Sequence, residues 1–308
     1  MEKDYFQDDE ELFDIRYDRI FKAVFTKDDP MSQGALSGLV SALIERDVSI
    51  VSIRANEPPI GNQDDRLIRF DINCKAQNGE LINVEMCLNP KISEAVRLEY
   101  YLGVLFTGQG IKGKDKDYKD LNQAYQIAII ANQRLMKDDV FLHNFEYYDP
   151  RNKISLDGKC RIITLELTKL KAIVEKPVEA MTSSERWAIF FEYLTDKSKR
   201  SKIIAITDKD EGIRMASGVW VQVSHDEEER ARIMRDHKYE LDHQSEVTRL
   251  RREARTEGRE EGREEGRTEG LEEGRTEGRT IALEETAKKM KEMGLTPEQI
   301  KMATGIVL

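Results

Sequence analysis

Cysteine, histidine and long apolar runs are all scarce in this 308-residue chain, and each shortage removes a class of protein. The three cysteines, Cys74, Cys87 and Cys160, form an odd set without metal-ligand spacing, so neither a disulfide framework nor a cysteine-built zinc site is indicated. His143, His225, His237 and His243 make no H-E-x-x-H motif or comparable cluster, so a structural zinc site is not expected. No apolar stretch approaches the roughly 18 residues a membrane span needs, and the amino terminus has neither the basic nor the apolar region of an export signal. The expectation is therefore no membrane partner and a cytoplasmic, reducing home. Positive charge is also in deficit. A net charge of −10 argues against duplex binding through a general positive field, although metal ions can still bring phosphate to an acidic site.

The charge that is present, 35% of residues, is unevenly spread. Residues 1–14 hold seven acids and one lysine and read as an acidic leader. Residues 15–170 alternate helical and strand patterns, which predicts an α/β sheet. Ile20, Phe21, Val24 and Phe25 form a helical stripe, with Asp18 and Lys22 four apart on a neighbouring face. A second helix is expected from Met31 to about Glu45 and a strand from Val48 to Ala55, followed by a polar loop from Asn56 to Asp65. Ser93 to Phe106 reads as a helix and Gly108 to Asp117 as a lysine- and glycine-rich mobile loop, and Lys112, Lys114, Lys116 and Lys119 are candidate phosphate contacts or simply solvated. The uniformly apolar run from Ala124 to Ala131 suits a strand buried on both faces. Phe141–Tyr147 and Arg161–Leu167 are two more strands, and residues 171–250 read as mainly helical.

The segment Arg69–Cys87 carries the chemistry. Gln77-Asn78-Gly79 is read as a three-residue loop with Gly79 left-handed, which pairs Cys74 with Ile82, Ile72 with Val84, Phe70 with Met86 and Asp71 with Glu85. This register puts Phe70, Ile72, Cys74, Ile82, Val84 and Met86 on one face and both acids on the other. A two-residue loop would split them. Two adjacent carboxylates are hard oxygen ligands able to share a divalent cation with a phosphate. The position sharing their face two residues after Glu85, where a group handling the attacking water would stand, is Cys87. The plain alternatives are a solvated surface acid pair, Asp18 paired only with Lys22, and Arg97 paired with Glu94.

Asp18 with Phe21-Lys22, Arg69-Phe70-Asp71, the Asn78-Gly79-Glu80 turn, Ile82-Asn83-Val84-Glu85-Met86, and Arg97 with Tyr100-Tyr101 together resemble the PD-(D/E)XK nuclease superfamily, and within it the transposase-related, recombination-promoting nucleases of bacteria. The likeness extends to Glu166, Lys169 and Glu185-Arg186-Trp187. It implies a mixed central sheet flanked by helices and magnesium-dependent DNA cleavage in recombination or on mobile-element DNA, with manganese as a substitute ion. Carried over by position, Asp71 and Glu85 match the metal-binding acids and Asp18 the acid of the first helix. Arg97 matches a phosphate or scaffold contact, and Tyr101 and Lys22 are expected with it as contacts to substrate. The family pattern has glutamine where this chain has Cys87, a departure at a catalytic position. A nuclease-fold protein that binds nucleic acid or regulates without turnover is the competing expectation.

From residue 251 to 280 a tetrapeptide, Glu-Gly-Arg-Glu or Glu-Gly-Arg-Thr, places Gly258, Gly262, Gly266, Gly270, Gly274 and Gly278 at intervals of four. Six interior glycines cost a helix about 6 kcal/mol relative to alanine. Two readings stay open, a charged disordered linker and a helix packed on a partner through its glycine stripe. Ile281–Met293 reads as an amphipathic helix ended by Gly294, and Thr296-Pro297-Glu298-Gln299 as the capped start of another. Residues 281–308 would then close the chain with short helices, and a homodimer through this tail is the expected assembly.

Overall fold

The computed structural model describes residues 12–54, 69–109 and 117–307. Most of the acidic leader, the polar loop and the three lysines Lys112, Lys114 and Lys116 lie outside the described residues. Two compact units are present, residues 1–234 and residues 235–308.

The first unit is built on a six-stranded mixed sheet in the order β1-β2-β3-β4-β8-β5. Its strands are β1 (Ile50–Ile53), β2 (Ile72–Ala76), β3 (Leu81–Cys87), β4 (Ala124–Ile130), β5 (Leu142–Phe145) and β8 (Cys160–Glu166). A separate two-stranded ribbon comprises β6 (Tyr148–Asp149) and β7 (Ile154–Ser155). β1, β2 and β3 run antiparallel, β3, β4 and β8 parallel, and β5 returns antiparallel on β8. The β2–β3 register pairs Ile72 with Val84 and Cys74 with Ile82, as the three-residue loop requires, and Gly79 adopts φ 93°, a left-handed value that a side chain resists. Parallel pairing of β3 with β4 needs a crossover, supplied by α3 (Glu94–Thr107).

Period-two alternation then sorts the side chains. Ile82 and Val84 of β3, Ile127 and Ile129 of β4, and Ile163 and Leu165 of β8 face the main core. That core is closed by α1 (Asp18–Thr26), α2 (Pro30–Ile44), α4 (Ser183–Tyr193), α5 (Arg200–Lys209) and α6 (Glu211–His225). Trp187, Trp220, Phe21, Phe25, Phe190 and Phe191 are fully buried there. α2 and α6 meet so closely that a Cβ on Gly38 would stand 2.8 Å from the Gly212 Cα. Local sequence explains the helix starts. Asp29 accepts from the Met31 and Ser32 amides with Pro30 at the first helical position, and Thr182 and Glu185 form a reciprocal capping box.

The opposite sheet face is covered by α3, so Asn83 and Glu85 are buried rather than solvated. One sequence expectation changes here. Phe70 precedes the regular part of β2 and packs on the α3 side with Leu81, Leu102 and Leu105, opposite Ile72, because the bend at Asp71 breaks the alternation.

In the second unit the repeat is helical. It lies inside α7 (Glu227–Glu292), after which Gly294 takes a left-handed φ and α8 (Pro297–Thr304) starts at a Thr296–Gln299 capping box. Ala287, on the expected amphipathic stretch Ile281–Met293, and Ile300 of α8 are buried within the chain. Among the described residues no helix is long and apolar enough to cross a membrane.

Candidate active site

Parallel register aligns three rows of side chains on the face beneath α3: Asn83 with Gln126, Glu85 with Ala128 and Thr164, and Cys87 with Ile130 and Glu166. Gln126 is the one amide in a strand otherwise apolar, and its Oε1 accepts from Asn83 Nδ2 at 2.9 Å. The same Asn83 Nδ2 lies 3.0 Å from Glu85 Oε1, so a buried amide orients the carboxylate.

α3 completes the site by projecting Glu94, Arg97 and Tyr101 from one stripe, three and four residues apart. Arg97 Nη2 is 3.1 Å from Glu85 Oε2, and its Nε donates to Glu94 Oε1 at 2.7 Å. The guanidinium also reaches Cys87 Sγ at 3.2 Å and lies over the Tyr101 ring, 5.0 Å from its centroid. Tyr101 in turn meets Phe70 edge-on, with ring centroids 5.7 Å apart. One cation therefore gathers Glu85, Glu94 and Cys87 around itself. The sequence pointed to a Glu94–Arg97 pair or a phosphate or scaffold contact for Arg97, and not to its joining Glu85 and Cys87.

Asp71 is held from the other side. Its Oδ2 accepts from the Met86 amide at 3.1 Å, and its Oδ1 lies 3.1 Å from Lys22 Nζ, which also pairs with the exposed Asp18 at 2.6 Å. Thus Asp18 and Lys22 do pair, and Lys22 extends the pairing to Asp71.

Burial, reinforced by the charge of Asp71 and opposed by Arg97, pushes the Glu85 carboxyl up to about 7. Asp71 is raised by burial, with Lys22 pulling it down and Asp18 pushing it up. The two acids therefore feel each other's charge, as adjacent carboxylates do. Burial also drives the Cys87 thiol well above its ordinary value despite Arg97. It is a neutral thiol, unsuited to accepting a proton from water.

A cavity of about 780 Å³ opens beside this cluster, lined by Cys87, Lys91, Glu94, Arg97, Tyr100 and Tyr101. Asp71 and Glu85 are not among its lining residues; Arg97 is. The divalent cation implied by the resemblance would need open oxygens on Asp71 and Glu85. Each oxygen of Asp71 and of Glu85 already faces a donor or cation of the chain. The third position is a protonated thiol, and among the described residues no group of three His, Cys, Asp or Glu side chains could hold a metal ion. As arranged, these residues do not fit a resident magnesium ion.

Glu166 and Lys169, part of the resemblance, form a second buried pair at 2.7 Å. Glu166 accepts from the Leu135 amide at 2.8 Å, and Lys169 lies 3.0 Å from Asp138. Glu166 and Lys169 thereby clamp the segment after β4.

Neither the curated proteins nor the solved structures hold a match to this chain. A family model does match, that of the PD-(D/E)XK nuclease family transposases, over residues 15–249. This match spans the sheet, both of its helical faces and the Asp71, Glu85 and Arg97 cluster just described. On that extent of agreement, the chain belongs to the PD-(D/E)XK nuclease family transposases.

Proposed function

We propose that the chain binds DNA through its nuclease fold while hydrolysing phosphodiesters weakly or not at all. The observation that carries this reading is the Arg97 guanidinium, bonded at once to Glu85, Glu94 and Cys87. A chain-borne cation on the buried acid supplies the charge that a divalent ion would otherwise supply, and leaves Glu85 behind it. Lys91, Arg97 and the Tyr100 and Tyr101 rings line the adjoining cavity and offer charge and stacking surface to a phosphate and a base. Membership in a nuclease family supports nucleic acid as the ligand class.

A second reading, a magnesium- or manganese-dependent endonuclease acting in recombination or on mobile-element DNA, has its own support in the mutual electrostatic influence of Asp71 and Glu85. Two measurements on the native chain decide between them. Retention of labelled DNA in a mobility-shift assay, with supercoiled plasmid left intact in magnesium or manganese, supports the proposed reading. Efficient nicking that disappears in Asp71→Ala and Glu85→Ala supports the second. Failure to retain any DNA, single- or double-stranded, overturns the proposed reading, and with plasmid left intact it overturns both.

A further inference from the structure

The repeat region has a geometry that the nuclease fold does not use. Within α7, the glycines at 258, 262, 266, 270, 274 and 278 form one column. A Cβ added at any of them would meet nothing within 4 Å. Each glycine is preceded by a glutamate, giving a column of Glu257, Glu261, Glu265, Glu269, Glu273 and Glu277. Each is followed by arginine, at 259, 263, 267, 275 and 279, except that Leu271 interrupts that column once. One residue is about 100° of helix rotation. The glycines are therefore flanked by an acidic column on one side and a basic column on the other.

Inside a single helix the two flanking columns are each self-repelling. Residues four apart are neighbours, so each column sets like charge beside like charge, offset only in part by the i, i+3 spacing of Glu260 with Arg263, Glu264 with Arg267 and Glu272 with Arg275. Among the described residues, the ion pairs Arg232–Glu228, Arg249–Glu246 and Arg249–Glu253 of α7 precede the repeat's first glycine. Both columns are exposed along their whole length.

We propose that this face of α7 docks on the same face of a second copy of the chain, with the two helices parallel. Charge complementarity selects both the partner and the direction. A two-fold axis parallel to the helices brings the acidic flank of each copy against the basic flank of the other, on both sides of the glycine seam. An axis perpendicular to the helices, which makes them antiparallel, sets acid on acid and base on base. Glycine at the seam lets the backbones approach closer than the usual 8–10 Å between helix axes, which brings the flanking columns within ion-pair reach. The four-residue interval turns the column by about 40° per repeat, so the two helices stay in contact along it by winding around a common axis in a right-handed sense, with their i±4 ridges interlocked. The inference is independent of whether the nuclease site turns over.

The test uses the full chain. Sedimentation at tens of micromolar in about 50 mM salt should give twice the single-chain mass, falling toward the single-chain mass in about 1 M salt, where charges are screened beyond about 3 Å. The triple variant Arg259→Glu, Arg263→Glu, Arg267→Glu should be monomeric. So should the triple variant Glu257→Arg, Glu261→Arg, Glu265→Arg. Their equimolar mixture should be dimeric. Near-ultraviolet signals from the buried Trp187 and Trp220 report that the first unit remains folded in each. Direction is read from Gly262→Cys and Gly270→Cys made separately: parallel copies give a disulfide dimer from each variant alone. A native chain that stays monomeric, or charge-reversed triples that stay dimeric, overturns the docking surface. Cross-linking that occurs only when the two cysteine variants are mixed overturns the parallel direction.

Discussion

Arg97 Nη2 lies 3.1 Å from Glu85 Oε2, in a setting where the carboxylate is almost fully buried and the guanidinium is partly open to solvent. The pair links the sheet to α3, because Glu85 comes from β3 and Arg97 from the helix that crosses to β4. Removing the cation would strand two buried acids, Glu85 and Glu94, without their counter-charge. Arg97→Met is therefore expected to lower stability by about 2 kcal/mol, below the roughly 3–5 kcal/mol for a broken fully buried pair because Arg97 is partly open to solvent. Arg97→Lys should recover part of that loss, since one ammonium cannot reproduce the forked contacts to Glu85 and Glu94. Urea titration of both variants measures the difference. Equal stability of Arg97→Met and the native chain would show that the contact is energetically idle.

Glu85 also sets a pH dependence with a defined sign. Its folded-state pKa of about 7 exceeds the ordinary 4.5, so the folded chain keeps a proton that the unfolded chain has released. Stability should therefore fall as pH rises from about 4.5 to about 7 and level off above, by at most about 3 kcal/mol for this group. Asp71, also raised, acts in the same direction. Glu85→Gln removes the titration, so the native-minus-variant difference in urea midpoint should narrow the native advantage across that window. A difference that grows with pH would contradict the assignment.

Close packing of α2 on α6 gives a third expectation. Gly38→Ala would drive a methyl to 2.8 Å from the Gly212 Cα, a backbone atom that cannot rotate away. The helices must separate, at a cost of about 2 kcal/mol or more. Gly103→Ala is the control, because its Cβ position meets nothing within 4 Å. In that helical setting alanine should be neutral or stabilising by up to about 1 kcal/mol. Thermal melts of the two variants should move in opposite directions, or only the first should move.

The cysteines should separate by reactivity. Cys74 and Cys87 are buried, with burial pushing Cys74 up to about 12 and Cys87 further, whereas Cys160 is partly exposed. Thiolate is the reactive form. Iodoacetamide on the native chain should therefore modify Cys160 first, with Cys74 and Cys87 reacting only on unfolding, as read by peptide mass spectrometry. Early modification of Cys87 would mean that the Arg97 cluster is open and the thiol ionised, which would reopen a catalytic role for position 87.

The hairpin register, the two-sided burial of β4, the order of helices and strands and the caps of α8 were all legible in the sequence, because each rests on local periodicity or turn chemistry. Gly79 and the alternation from Ile72 to Met86 suffice to pair Ile72 with Val84. The helical state of the repeat stayed open, since six interior glycines cost a helix about 6 kcal/mol, more than exposed ion pairs of about 0.3 kcal/mol each return, and only packing on a partner could offset the difference. Tertiary structure decided what covers each face. Period two separates Glu85 from Val84, but only the crossover of α3 makes the acid's side of the sheet dry and brings Arg97 onto it. The i, i+3 spacing of Glu94 and Arg97 was visible. That the same guanidinium also holds Glu85 and Cys87 was not, because those contacts join a strand and a helix through packing that no local pattern encodes. Phe70 shows the same limit: alternation assigned it to the face of Ile72, and the bend at Asp71 turned it to the other.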